Sequence, residues 1–182
     1  VIVIDETGKD KDKKPTVVTA SFTCRKQSVH IVKQLLDSGA KPWLQKSTDL
    51  DMDDICRFFK KVEIPTRAQA VWGTPNASQR ALMAVEAIKE VIPAGVSHDA
   101  ETTDCLVMLD GRVSNFGGRQ AIRRSESEIL DDYFQNQNSV NIAFAPIVKG
   151  DKTYPEITVA DFACKVFRSR IEQTEAIEQV DY

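Results

Sequence analysis

Two separate apolar runs in the sequence end in acidic residues. The first, Val1-Ile2-Val3-Ile4, is followed by Asp5 and Glu6, and the second, residues 105–109, is followed by Asp110. Both runs predict buried β-strands, and an unpaired carboxylate beside buried structure is energetically costly. A divalent cation shared with other acids removes that cost, and Mg²⁺ prefers such oxygen ligands. The pattern indicates a metal site. For the first run alone, a strand that ends at the surface with solvated acids is the alternative.

A further acid lies in the last predicted helix, residues 155–172. The apolar residues of this segment recur at helical spacing, and Asp161 falls on the flank of their stripe. An acid in that position needs a partner, which is either a salt-bridging lysine or arginine or a metal ion. With Asp5, Glu6 and Asp110 it completes a candidate set of four carboxylates.

Strands and helices alternate along the 182 residues, which predicts one α/β domain with a buried core. The predicted strands are residues 1–4, 16–24, 68–72, 105–109 and 140–148. The predicted helices are 28–36, 51–61, a longer helix that Asn76 or Ser78 caps and that runs to residue 92, 125–135 and 155–172. The second strand is expected to pair antiparallel with the first, and the strand 105–109 to be buried on both faces. Three helix boundaries depend on single residues: Ser28 and Ser125 as N-caps, the latter with Glu128 as its capping-box partner, and Pro93 as a helix stop. Ligands of α/β sheets gather at the carboxyl ends of strands, so Asp5 and Asp110 are expected to meet there.

Composition narrows the class of protein. The net charge of -3 argues against indiscriminate binding of nucleic acid, while basic clusters at residues 11–14, 119–124 and 165–170 allow a local basic groove. No apolar run is long enough to span a membrane. The four cysteines are far apart in sequence and predict reduced, packed thiols in a cytoplasmic protein: Cys24, Cys56, Cys105 and Cys164.

Three blocks of sequence together resemble the ribonuclease H superfamily, most closely type 2 and type 3 ribonuclease H. The opening string Asp5-Glu6-Thr7-Gly8-Lys9-Asp10 is similar to D-E-A-G-R-G or D-E-S-G-K-G-D. The string Val107-Met108-Leu109-Asp110-Gly111 is similar to the apolar strand that ends in D-G in those families. Residues 149–169 begin with Lys149-Gly150-Asp151 and are similar to the block K-G-D followed by S-I-A-A-A-S-I-L-A-K-V-x-R-D.

The resemblance implies a ribonuclease H-like fold, a mixed sheet flanked by helices. It also implies two-metal hydrolysis of phosphodiester bonds with Mg²⁺ or Mn²⁺, and the RNA strand of an RNA–DNA hybrid as the substrate. The implied catalytic and metal-binding residues are Asp5, Glu6, Asp110 and Asp161. The candidate substrate contacts are Gly8, Lys9, Lys149 and Tyr154, although the two lysines could equally be solvated.

The chain also departs from these families. Type 2 and type 3 enzymes usually have their helical aspartate where this chain has Ser169, and a second glycine where it has Asp10. A less-characterised group of the superfamily opens with D-E-S-G and closes with a Q-x-A-D-like motif, to which residues 158–161 are similar. Two other hypotheses about function are open. The chain could be a nuclease of this fold that acts on single-stranded RNA or DNA, or a domain of this fold that has lost its activity and works as a binding or assembly module. The outer side of the last helix is also apolar, through Val159, Phe162 and Val166. This side is either buried by more of the same domain or is the surface on which such a module would bind a protein partner.

Overall fold

A mixed five-stranded sheet forms the centre of the described structure. The computed structural model describes residues 1–7, 14–23, 28–37, 46–95, 102–135 and 139–178. The strands are β1 (Ile2–Thr7), β2 (Pro15–Phe22), β3 (Thr66–Trp72), β4 (Thr102–Asp110) and β5 (Ser139–Ile147), in the order β3-β2-β1-β4-β5. β2 pairs antiparallel with both β1 and β3, while β4 pairs parallel with both β1 and β5. The predicted antiparallel pairing of the first two strands is therefore confirmed.

Five helices cover the two faces of this sheet. They are α1 (Ser28–Asp37), α2 (Met52–Phe59), α3 (Ala77–Gly95), α4 (Gly118–Gln135) and α5 (Pro155–Glu178). Helices α3 and α4 pack on one face, and α5 packs on the other, where α1 and α2 lie against its outer side. Short 3₁₀ helices in the described ranges also join these elements: Ser47–Asp49, Val113–Phe116 and Gly150–Lys152.

The side chains of β1 alternate between the two cores. Ile2 and Ile4 are fully buried against α3, whereas Val3 is buried with Ile157 of α5. Because successive side chains of a strand point to opposite faces, Asp5 continues the α5 side and Glu6 the α3 side. Both acids lie within β1 rather than after it, so the predicted end of the strand at residue 4 was wrong by three residues.

Helix α5 is covered on its outer side as well. Phe162 packs edge-to-face against Phe58 of α2, with ring centroids 5.7 Å apart, and both are fully buried. Val159 is also fully buried in this cluster, and Val166 is partly buried against it. The side of α5 that was a candidate partner surface is therefore occupied by the chain itself.

Helix α4 begins at Gly118, seven residues before the predicted N-cap. Ser125 lies inside the helix and donates its hydroxyl to the carbonyl of Ala121, so it is not an N-cap and Glu128 is not its capping-box partner. A serine within a helix commonly bonds the carbonyl four residues back in this way.

The predicted stop at Pro93 was also wrong, because α3 includes this residue and ends at Gly95. Pro93 has no backbone N–H to give the carbonyl of Lys89. The Tyr133 hydroxyl donates to that carbonyl instead, at 3.1 Å. A contact from α4 thus satisfies the group that the proline leaves open.

Two further predictions, for β4 and α5, differ from the structure in detail. β4 is longer than predicted and its Leu106 is 38% exposed, so this strand is not buried on both faces throughout. α5 extends six residues beyond the predicted residue 172. Cys56, Cys105 and Cys164 are free thiols, as predicted, while Cys24 lies outside the described residues. No helix in the described parts of the chain combines the length and apolarity needed to cross a membrane.

Candidate active site

The parallel pairing of β1 and β4 places two of the predicted acids at the same edge of the sheet. Ile4 pairs with Leu109, and the next residues of the two strands are Asp5 and Asp110. Asp5 is only 9% exposed, and its Oδ1 accepts the N–H of Glu6 at 2.7 Å. The Oδ1 of Asp110 accepts a backbone N–H from the turn after β5, at 2.8 Å.

Helix α5 brings the third predicted acid to Asp5. The hydroxyl of Thr19 in β2 donates to the carbonyl of Ala160 at 2.9 Å. One turn later, the Cys164 thiol donates to the carbonyl of Asp5 at 3.3 Å. These two contacts fix the helix across β1 and β2, so that Asp161 lies beside Asp5.

The electrostatics of Asp5 reflect this crowding. Burial raises the pKa of Asp5 well above its ordinary value, and the carboxylates of Asp161, Asp110 and, least, Glu6 raise it further. The N–H donated by Glu6 acts in the opposite direction. Like charges in a poorly solvated place disfavour ionisation, so this position is short of positive charge.

A fourth carboxylate, which sequence reasoning did not select, belongs to the same group. Asp151 is buried in the 3₁₀ helix after β5, and its charge contributes to raised pKa values at Asp110 and Asp161, where burial is the largest cause. We call Asp5, Asp110, Asp151 and Asp161 the acid cluster. The string Lys149-Gly150-Asp151 is similar to the K-G-D of the type 2 and type 3 families, but the sequence analysis predicted no role for Asp151 itself.

Gly150 is what allows the turn after β5 to approach Asp110. Its N–H is the donor to Asp110 Oδ1. A Cβ atom on this residue would collide with Cδ1 of Ile157 and lie 3.1 Å from Asp110 Oδ1. A side chain at position 150 would therefore displace either the core of α5 or the carboxylate of Asp110.

One lysine lies among these carboxylates. The Nζ of Lys46 is 3.4 Å from Oδ2 of Asp151. Partial burial lowers the pKa of Lys46, but the charges of Asp151, Asp161 and Asp110 outweigh this and raise it above the ordinary value. No pattern in the sequence pointed to Lys46, which immediately precedes the 3₁₀ helix Ser47–Asp49.

The turn that carries Lys46 is bound to α5 by Asp161. The backbone N–H of Ser47 donates to Oδ2 of Asp161, and its hydroxyl donates to Oδ1, both at 2.7 Å. Lys165, one turn further along α5, donates to the carbonyls of Ser47 and Leu50. The two elements are more than 100 residues apart in sequence, which is why no local pattern predicted the contact.

Glu6 is not brought into the acid cluster. Its side chain is 4% exposed on the α3 side, and Oε2 lies 2.7 Å from Nε of Arg80. Arg80 also donates to the carbonyls of Pro75 and Asn115, at 2.7 and 3.1 Å. Glu6 therefore links β1 to α3 and to the segment after β4, on the opposite face of the sheet from Asp5.

Two of the four residues that were predicted to contact the substrate lie in the described parts of the chain. Lys149 and Tyr154, the latter 40% exposed, flank the turn that carries Asp151 and are open to solvent. Gly8 and Lys9 lie outside the described residues. Lys149 and Tyr154 are thus close to Asp151 in the chain, and both side chains are accessible to a large ligand.

The acid cluster fits a divalent cation in ligand type and charge. Its members supply carboxylate oxygens, the ligands that Mg²⁺ and Mn²⁺ prefer, and their mutual repulsion is what a cation relieves. As the side chains are placed, no group of three or more His, Cys, Asp or Glu residues within the described ranges is close enough to hold a metal ion. Binding would have to draw the carboxylates together.

Known proteins with this architecture identify the fold. The sequence matches no family model and no curated protein. Among solved structures, Bst-RNase HIII in complex with Mn²⁺ superimposes with a TM-score of 0.61 at 15% identity, over 98% of this chain and 54% of that one. RNase HII of Archaeoglobus fulgidus, solved in a complex with PCNA, gives a TM-score of 0.53 at 17% identity, over 96% and 76%. The chain has a ribonuclease H-like fold. The ribonuclease H2 from Pyrococcus horikoshii agrees, with a TM-score of 0.51 at 16% identity over 97% and 76%.

This ribonuclease H-like fold is the one that the three sequence blocks predicted, and its closeness to the type 2 and type 3 architecture is confirmed. The chain spans 54% of the length of Bst-RNase HIII. At these identities the comparison establishes the arrangement of strands and helices, while chemistry must be argued from the acid cluster itself.

Proposed function

We propose that this chain is a divalent-metal-dependent nuclease that hydrolyses the RNA strand of RNA–DNA hybrids. The observation that carries the proposal is the buried Asp5, which is surrounded by the carboxylates of Asp161 and Asp110 from two other elements. Such repulsion in the interior destabilises the protein when the carboxylates are ionised, and a bound cation relieves it. The ribonuclease H-like fold makes nucleic acid the expected substrate.

The metal would be Mg²⁺ or Mn²⁺, and Bst-RNase HIII was solved with Mn²⁺. Of the four predicted ligands, Asp5, Asp110 and Asp161 would hold the metal, and Asp151 would join them because its charge reaches two of the three. When bound, such ions activate a water molecule and neutralise charge on the leaving oxygen. Glu6 would support the site from the α3 face through Arg80.

Residues around the acid cluster would bind the nucleic acid. Lys149 is exposed and would contact a backbone phosphate as a charged donor, and Tyr154 would stack on a sugar or base. Gly8 and Lys9 are proposed to contact the substrate as well. A hybrid would be recognised by its shape and its 2′-hydroxyl groups rather than its sequence. We also propose a cytoplasmic location, because thiols such as Cys105 stay reduced in that compartment.

The test is cleavage of a labelled RNA–DNA hybrid with Mn²⁺ or Mg²⁺, run beside single-stranded RNA and duplex DNA. We expect metal-dependent cutting of the hybrid, lowered at least about 100-fold by Asp110→Asn, since that change removes a charged ligand at the reacting centre. Asp131→Asn, an exposed acid on α4, is the matched control and should cut normally. Cutting of another substrate would retain the metal site and replace the hybrid. Folded protein that binds no metal and cuts nothing would refute the proposal.

A further inference from the structure

Lys46 lies beside the acid cluster, and the proposed hydrolysis gives it no role. Its ammonium group lies against Asp151, and the fields of Asp161 and Asp110 reach it as well. The side chain is nevertheless 58% exposed. An ammonium group with this much open space around it is free to leave the carboxylate without repacking of the core.

The backbone beneath Lys46 is held much more firmly than its side chain. The next residue, Ser47, bonds both carboxylate oxygens of Asp161, and Lys165 bonds the carbonyl of Ser47. These contacts join the turn to α5 whatever the position of the Lys46 ammonium group. Movement of Lys46 is therefore a movement of the side chain alone.

Charge makes the ammonium group and a divalent cation competitors for the same carboxylates. A carboxylate that pairs with an ammonium group has fewer oxygen lone pairs for a metal ion, and the two cations also repel each other. At a separation of about 5 Å, the repulsion between a unit charge and a double charge lowers the affinity on the order of 10-fold even at the dielectric constant of water. Both effects act in the same direction and oppose metal binding.

We propose that Lys46 is a resident counter-cation of the acid cluster, and that a divalent cation binds by displacing its ammonium group from Asp151. Lys46 thereby sets the metal affinity of the site. This inference rests on the proposed function, because it concerns the metal that the nuclease would use. Lys46 acts as a positioning residue: it holds Asp151 in the metal-free protein and releases it when the metal enters.

The first experiment measures Mn²⁺ binding by titration calorimetry at 0.15 M salt. We expect Lys46→Met to bind Mn²⁺ on the order of 10-fold more tightly than the parent chain, which is the loss of the repulsion above. Lys46→Arg keeps the charge and should bind no more tightly than the parent. Lys152→Met removes a charge from an exposed side chain on the same turn as Asp151 and is the matched control, with a change of about twofold after screening.

The second experiment follows Lys46 itself. Amine acetylation, read by peptide mass spectrometry, should label Lys46 slowly in metal-free protein and several-fold faster with saturating Mn²⁺, because its ammonium group has left Asp151. Lys152 serves as the internal reference, whose labelling should not change. This readout needs no activity and no variant.

The possible outcomes separate the two proposals. If the parent chain binds Mn²⁺ and Lys46→Met binds it equally, the counter-cation inference is wrong and the nuclease proposal stands. If Mn²⁺ binds with the expected ratio but no nucleic acid is cut, the inference stands and the nuclease proposal fails. If only Lys46→Met binds Mn²⁺, Lys46 keeps the metal out of the parent chain instead of yielding to it, which overturns both the displacement and the nuclease proposal. If neither protein binds Mn²⁺, both proposals are refuted.

Discussion

Two adjacent acids, identical in charge, have different surroundings because of the two-residue period of a strand. Asp5 faces α5 and the carboxylates of Asp161 and Asp110, whereas Glu6 faces α3 and pairs with Arg80. The first is left with repulsion and the second with an ion pair. Their adjacency in sequence suggested one shared role, whereas the structure places the two side chains on opposite faces of the sheet.

Asp5 is expected to destabilise the metal-free protein at neutral pH. Its pKa is raised in the folded state, by burial first, so ionisation is penalised only in that state. Stability should therefore increase as pH falls through the raised pKa towards the value of the unfolded chain, about 4, and gain nothing further from this group below it. Asp5→Asn should stabilise the metal-free protein at pH 7, with a difference that shrinks as the pH falls.

Urea unfolding from pH 4 to 8 in the presence of a chelator measures this difference. Asp131→Asn, at an exposed position on α4, is the control and should shift stability little at any pH. A destabilising effect of Asp5→Asn at pH 7 without metal would show that Asp5 is not repelled by its neighbours.

At the scale of elements, the turn after β5 and the helix α5 must approach each other closely to form the acid cluster. Gly150 lies between Asp110 and Ile157, with no space for a side chain. Its N–H also orients the carboxylate of Asp110. A glycine is needed here for space rather than for an unusual backbone angle.

Gly150→Ala is expected to destabilise the protein by about 1–3 kcal/mol, as overpacking of a filled core does, and to weaken Mn²⁺ binding by displacing Asp110. Adding Ile157→Val removes the Cδ1 atom that the new methyl group meets, so the double variant should recover part of both losses. Urea unfolding and calorimetry give the two readouts. Equal losses in the single and double variants would mean that the close approach to Ile157 is not the cause.

At the scale of the whole molecule, the sheet separates two cores, and the acid cluster belongs to one of them. α5 is packed between the sheet and the pair α1 and α2, and Phe162 fills the outer contact. Asp161 is the neighbouring residue and holds the turn that carries Lys46. The core of α3 and α4 lies on the other face of the sheet.

Truncating the two cores should therefore have different consequences. Phe162→Ala and Ile88→Ala are each expected to cost about 2–5 kcal/mol in unfolding free energy, since both side chains are fully buried. Only Phe162→Ala should also weaken Mn²⁺ binding by severalfold, because it loosens α5 beside Asp161. Calorimetry at a temperature where both variants are folded compares them. A similar loss of affinity in Ile88→Ala would indicate that global stability, not the position of α5, controls the site.

Sequence patterns by themselves determined the strand and helix alternation, the antiparallel start and the presence of acids at the ends of two parallel strands. These features depend on local periodicity and on strand direction, which neighbouring residues encode. The placement of Asp161 was predictable for the same reason, since helical spacing puts it on the flank of the buried stripe. That residues 1–182 form one domain stays a prediction.

Tertiary structure alone decided which carboxylates share a site. Asp151 joins the acid cluster because the turn after β5 contacts Asp110, and Lys46 enters it because Ser47 binds Asp161 from more than 100 residues away. Helix boundaries were wrong where distant groups replaced local ones, as at Pro93, where Tyr133 satisfies the open carbonyl. Contacts of this kind depend on how whole elements dock. No window of neighbouring residues contains that information, and so the partners of each charge became visible only in the folded chain.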